Sequence, residues 1–405
     1  MRIKTFNALM PTAKLTPSVA SVPYDVVNTE EAGRLAAGNP HSFLHISRAE
    51  IDLPAGTPPY SDEVYAQAAA TFGRFQKEGT FIRETQPSLY VYRQQMGEHS
   101  QSGLVACCHI EDYEQNLIRQ HEKTLQSKEE DRARHIRELN AQAGPIFIVY
   151  RDQARIDQIV ADLEKTTPLF DFTSPDGIRH SAWRIRNNQE IESAFASVPR
   201  SYIADGHHRF AAAVKVGRER RAANTSHSGN EEYNWVLAVF FPASQLRILS
   251  YNRIVRDLNN MQADEFINRV RSLFPLRETK EGMPAGPGTV CMYVTGKWYE
   301  LTLQHEQQAG KPKMLDVSVL QERLLAPVLG IDDPRTSKRI DFAGGIHSVR
   351  EIAARVDSGR FAVAFSMYPV AIDDVIAYSD AGLIMPPKST WFEPKLRSGL
   401  FVHTL

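Results

Sequence analysis

The run Ser201–Val214, SYIADGHHRFAAAV, constrains the fold more than any other stretch of this chain. Tyr202, Ile203 and Ala204 read as the end of a buried strand, and Phe210 and Val214, four apart, as one face of the helix that follows. Asp205, Gly206, His207, His208 and Arg209 must make the turn between them. A helix entered through so short a turn makes no use of its own first N–H groups, so the junction is a ready anion site. Gly206 lets the backbone approach an anion closely, and Arg209 carries the planar fork that matches a phosphate. Asp205 is the odd member. A carboxylate beside a phosphate makes sense if it takes a proton from a hydroxyl or holds a metal ion. Phosphate, hydroxyl and base together point to phosphoryl transfer.

The rest of the chain offers room and little bias. Its 405 residues are enough for two or three domains. A net charge of −1 gives no basic field for nucleic acid or an anionic membrane, and neither is expected as a partner. No apolar run approaches a membrane span, and MRIKTFNALMPTAK lacks the apolar core of a signal peptide. Cys107, Cys108 and Cys291 are odd in number and two are adjacent, which implies neither a disulfide framework nor a zinc site. A cytoplasmic setting is the expectation.

Strand and helix signals alternate irregularly. Asn28 or Thr29 caps a helix with Glu30 and Glu31 in its first turn, and residues 61–79 read as a helix closed by Gly79. SLYVYRQQM and GLVACCHI read as paired strands joined by the loop GEHSQS. Ser127 and Glu130 form a capping box for a helix over 127–143, which Gly144-Pro145 stops before the strand IFIVY. Residues 232–241 are almost continuously apolar, as in a strand covered on both faces. ADEFINRVRSLF reads as an amphipathic helix, TVCMYVTGKWYELTL as a hairpin turning at Thr-Gly-Lys, and MLDVSVLQERLLAPVLGI as a further helix. Residues 281–288 and 305–313 are the loops. Irregular order with several hairpins predicts an α+β fold rather than a doubly wound sheet.

Three more segments gather polar residues without a period. In 119–135, His121 and Glu122 precede the capped helix, where a side chain can enter a cleft, and Lys128, Arg132 and His135 share a face. Glu129, Glu130, Asp131 and Arg134 read as its solvated side. In 331–345, Asp332, Asp333, Arg335, Lys338, Arg339 and Asp341 crowd a turn at Pro334, densely enough to expect a part in a site. In 384–403, Pro386-Pro387 impose an extended entry to Lys388, Ser389, Lys395, Arg397 and Ser398, cations and hydroxyls suited to phosphate. Trp391 and Phe392 are expected to anchor that stretch in the core. Tyr24 and Asp25 mark an early turn, where Asp25 reads equally as a cap and as a substrate contact. Of the adjacent His207 and His208, at most one faces a ligand. The Walker A, G-x-G-x-x-G, G-x-S-x-G and H-E-x-x-H patterns are absent.

ADGHHR, HEKT with KEEDRARH, and MPPKSTWFEPKLRSGL resemble a bacterial and archaeal family catalogued as the domain of unknown function 1015. The resemblance runs essentially end to end, through NPHSFLHISR, FPASQLRILSYNR and LDVSVLQERLLAPVLGIDDPRT. DGHHR is also similar to the G-x-x-R turn of the ParB/sulfiredoxin fold, which binds nucleotide phosphates and includes free L-serine kinases. The resemblance implies a ParB/sulfiredoxin-like mixed-sheet core over 1–245, a small α/β subdomain over 246–310, and a C-terminal α/β segment over 311–405 that completes the site. It implies serine metabolism and a small-molecule phosphotransferase, foremost a serine kinase. The donor would be pyrophosphate, ADP or ATP, and the reverse reaction from phosphoserine is equally open. Arg209, Lys388 and Arg397 would hold donor phosphates, aided by the backbone at Gly206 and His207. His121, Lys128, Arg132, His135, Ser389 and Lys395 are further candidate contacts. Mg2+ would bridge the phosphates with Asp205 as its ligand. The base is Asp205, Glu122 or Asp25, with His208 a further catalytic candidate. The alternatives are a ParB-like nucleotide switch and a phosphatase, and the oligomeric state stays open.

Overall fold

The computed structural model describes residues 1–305 and 312–405, so the loop expected at 305–313 falls mostly outside the described residues. The chain divides into two compact units. One is Met1–Gln120, Thr124–Leu246 and Pro394–Leu405; the other is His121–Lys123 and Arg247–Glu393. Both are α+β, as the irregular order of strands and helices predicts.

The first unit is built on a mixed sheet. Its strands are β1 (Ile3–Lys4), β2 (Tyr90–Met96), β3 (His99–His109), β4 (Ile118–Arg119), β5 (Ile146–Tyr150), β6 (Phe170–Thr173), β7 (Arg179–Arg184), β8 (Ser201–Asp205) and β9 (Trp235–Pro242). They lie in the order β4-β8-β5-β9-β3-β2-β7-β6, with β1 beside β3. The apolar run of β9 is central, parallel to β5 and antiparallel to β3, and Val236 through Phe241 are buried. The β2–β3 hairpin is longer than its polar sequence implies. Pairing runs to Met96 and His99, leaving Gly97-Glu98 as the turn. Gln94 and Gln101 are buried in it because they satisfy each other, the Gln101 amide donating to Gln94 Oε1 at 3.0 Å.

Three helices matter for the site: α1 (Asp62–Lys77), α2 (Gln126–Leu139) and α3 (His207–Ala223). Helices α2 and α3 pack together through Ala133, Ile136, Phe210 and Ala213. The capping box expected at Ser127 and Glu130 does not form, since the N-cap is Leu125 and Ser127 lies inside the first turn. The cap comes from elsewhere: Leu125 N–H donates to His208 Nε2 at 3.0 Å. At the other end Asn140 takes a left-handed conformation (φ 49°) and stops the helix before Gly144-Pro145. Of the two expected caps, Asn28 is the one used, and Glu31 reaches back to it to complete a capping box.

The second unit carries an antiparallel sheet of β10 (Tyr251–Val255), β11 (Leu276–Thr279), β12 (Thr289–Val294), β13 (Lys297–Thr302), β14 (Ile340–Gly344) and β15 (Val363–Met367). The order is β11-β13-β12-β15-β10-β14. Helices α4 (Ala263–Leu273) and α6 (Ile372–Asp380) share a core that includes Met292, Leu301, Leu320 and Phe365, and α5 (Val349–Asp357) packs in a second cluster with Ile254, Tyr293 and Ala364. The sheet crosses the boundary expected at 310. Strand β10 is flanked by β14 and β15, so within 246–310 this strand satisfies its backbone groups only with chain that comes later. The expected helix over 314–331 is α-helical for Asp316–Leu320 and then widens into a π-helical turn, Gln321–Leu325.

Candidate functional site

Strand β8 passes into α3 through a single residue. Gly206 is the N-cap with φ 92°, a left-handed conformation open to glycine at little cost. A Cβ there would also lie 3.1 Å from Arg209 Nε. The first bond of the helix runs from Phe210 N–H to the Gly206 carbonyl at 2.9 Å, so the positive end of α3 opens beside Asp205. The Asp205 carboxylate, a quarter exposed, accepts from Arg209 Nη2 at 3.3 Å and lies 3.6 Å from Lys395 Nζ. Lys395 is placed from below, its carbonyl accepting from Gln94 Nε2 at 2.8 Å.

The sequence suggests Arg209 as a fork for a phosphate. It is buried, and Nη1 donates to the Pro145 carbonyl at 2.6 Å. Its fork therefore ties Asp205 to the Gly144-Pro145 turn, while Nε has no hydrogen-bond partner among the described residues. The same side chain lines a cavity with Tyr24, Arg132, His135, Gly144 and Ser398. Arg132 stacks 3.9 Å above the Tyr24 ring and donates to Asp131 Oδ2 at 2.8 Å. Asp131 is buried rather than solvated, because Tyr65 OH also donates to it at 2.7 Å. Burial and then Asp25 push the Tyr24 phenol up, against the opposing charges of Arg132 and Arg209. His135 is buried with Nε2 on the Ile46 carbonyl at 3.0 Å, and burial followed by Arg132 lowers it to about 4. Lys128 and Asp25 are exposed. Thus Arg132, His135 and Arg209 share one cavity of the first unit, which Lys128 and Asp25 do not line.

Two further candidates have structural duties. His208 Nε2 accepts a backbone N–H as the cap of α2, while His207 is buried. Arg397, expected on a donor phosphate, is buried in a network instead. Its Nη2 donates to Ser174 Oγ at 3.2 Å and pairs with Asp176, and its Nε donates to His180 Nε2 at 3.3 Å. That leaves His180 Nδ1 to the Tyr92 hydroxyl at 2.7 Å. Burial, reinforced by Arg397, lowers His180 to about 3.

The second unit holds the other candidates. His121 is buried, with Nε2 3.3 Å from Thr390 Oγ1, and Glu122 is half-buried in the field of Arg335. Lys388 is exposed 5.6 Å from the Tyr251 ring centroid, in a left-handed conformation. Ser389 is buried on the Pro386 carbonyl. Phe392 is buried as expected, and the Trp391 ring packs against Tyr251. The charges of 331–345 largely neutralise nearby partners: Arg335 pairs with Asp333, and Arg339 with Asp257. Sequence reasoning passed over Arg253, a buried arginine in a strand that gives no outward signal beyond a cation in an apolar run.

Among the described residues no group of three or more His, Cys, Asp or Glu side chains is placed to hold a metal ion. Asp205 itself faces two cations, a surrounding that does not fit a resident divalent ion, so the expected metal-ligand role is not supported. Cys107, Cys108 and Cys291 are buried and unpaired. No helix among the described residues is long and apolar enough to cross a membrane.

Residues 3–319 match the model of a family described as "Protein of unknown function (DUF1015)". No curated protein matches the chain. Solved structures similar to it include a conserved hypothetical protein from Pyrococcus furiosus, at 11% identity and TM-score 0.39 over 74% of this chain and 95% of that one. C-terminally truncated SbnI from Staphylococcus aureus is similar at 12% identity and TM-score 0.39, over 74% and 87%. A free serine kinase in complex with AMP is similar at 10% identity and TM-score 0.37, over 71% and 86%.

Proposed function

The chain belongs to the family described as protein of unknown function DUF1015, and from the site of its first unit we propose a small-molecule phosphotransferase acting on an alcohol, with serine the first acceptor to try. One observation carries this reading. Asp205 stands at the mouth of a helix N-terminus, one residue before the left-handed Gly206 and between two cations, Arg209 and Lys395. Phosphoryl transfer asks little of the protein beyond positioning and charge stabilisation. The N-terminal turn of α3 and the Lys395 ammonium would stabilise the negative oxygens of the transferred group. Arg209, tied to the Pro145 carbonyl, would hold the Asp205 carboxylate in place. As the acceptor oxygen attacks phosphorus and the bond to the donor oxygen breaks, the hydroxyl proton would pass to Asp205.

The test is an assay of the purified full-length protein with serine, Mg2+ and, in turn, pyrophosphate, ADP and ATP. Phosphoserine is read by mass spectrometry, and the reverse reaction is run from phosphoserine. The expected result is turnover with at least one donor, lowered by about 10²–10⁴ in Asp205→Asn with the fold intact by circular dichroism. No transfer in either direction with any donor overturns the reading. Turnover that Asp205→Asn leaves intact removes Asp205 from it.

A further inference from the structure

The second unit contains a buried charge without a counter-charge. Arg253 on β10 is 2% exposed. Its guanidinium donates to the backbone carbonyls of Tyr251 and Pro387, the latter at 3.4 Å, and lies 5.7 Å from the Phe342 ring centroid. Among the described residues no carboxylate pairs with it. Burial pulls it down to about 9, far below an ordinary arginine. A buried ion is normally neutralised by a partner, and an isolated one is costly to keep.

Arg253 lines a cavity of the second unit. Tyr251, Ser389, Val317, Met367 and Val370 line it too, so its walls are largely apolar and aromatic. Two carboxylates also reach the cavity, and each lies beside a basic side chain. Asp316 meets His305 Nε2 at 2.9 Å, and Asp374 lies in the field of Lys313. Arg253, by contrast, meets only backbone carbonyls among the described residues. Ser389 adds a hydroxyl from the MPPKST stretch, and Lys388 from the same stretch lies over Tyr251.

We propose that this cavity binds a small organic oxyanion, its carboxylate or phosphate head on Arg253 and its apolar body against Val317, Met367 and Val370. A guanidinium matches either head by the same forked geometry. The site does not rest on the phosphotransfer reading of Asp205.

Full-length protein is titrated with phenyl phosphate and, separately, with benzoate, by calorimetry and by the shift of the Arg253 Nε–H resonance. The expected result is saturable one-to-one binding of at least one probe, weakened about tenfold to a hundredfold in Arg253→Gln. Val370→Trp, which adds bulk to the cavity wall and keeps Arg253, is expected to abolish binding and decides the matter if Arg253→Gln does not fold. Phenyl phosphate alone assigns a phosphate head, and benzoate alone a carboxylate. Absence of saturable binding by both probes, or binding that Val370→Trp leaves unchanged, overturns the proposal.

Discussion

Arg397 separates two accounts of the C-terminal stretch, and replacing it with glutamine measures which one holds. In the folded protein its guanidinium meets Ser174 at 3.2 Å, His180 at 3.3 Å, and Asp176. The two bonds to neutral acceptors are worth about 1 kcal/mol each. The ion pair adds about 1 more, because the Asp176 side chain is 46% exposed and solvent screens it. Arg397→Gln should therefore cost about 3 kcal/mol of folding stability, read by urea denaturation at pH 7.5. A second arm follows from His180, lowered to about 3 by burial and then Arg397. The unfolded chain takes up this proton near pH 6.5 and the folded protein does not, so stability is complete above pH 6.5. It falls as pH drops toward about 3, by about 1.4 kcal/mol per pH unit. By pH 5 His180 accounts for about 2 kcal/mol, and His135, lowered to about 4, for a similar amount. Removing the Arg397 charge raises His180, so the variant loses less on going from pH 7.5 to 5 than the wild type does. Wild-type stability in Arg397→Gln, together with weakened pyrophosphate binding, would refute the buried-network account and restore Arg397 as a phosphate ligand.

Gly206→Ala forces a side chain into φ 92° and sets a Cβ 3.1 Å from the Arg209 guanidinium, so a loss of about 1–2 kcal/mol is expected in thermal unfolding. Gly33→Ala, in a helix with nothing within 4 Å of the new Cβ, should instead be neutral or stabilising by up to about 1 kcal/mol. His208→Ala removes the acceptor for Leu125 N–H and should cost about 1 kcal/mol. Amide exchange should quicken at residues 125–128 while the end of α2 near Leu139 keeps its protection.

What the sequence determined by itself is local. The strand–turn–helix at 201–214, the left-handed Gly206, the Asn28–Glu31 box and the 289–302 hairpin all follow from residues a few positions apart. Steric freedom at glycine, side-chain reach and apolar periodicity are properties of neighbouring chain, so they are written there. The tertiary structure decided where each charge finds its partner. Arg209 takes its carbonyl from Pro145, Arg397 its carboxylate from Asp176, and Asp131 its hydroxyl from Tyr65, each far along the chain. It also decided that strand β10 pairs with β14 and β15 and that the last twelve residues, 394–405, belong with the first unit. A buried charge is settled by whatever the fold brings beside it, and sequence spacing carries no record of that. The strand–turn–helix at DGHHR was therefore legible, while the duties of its own arginine and second histidine were not.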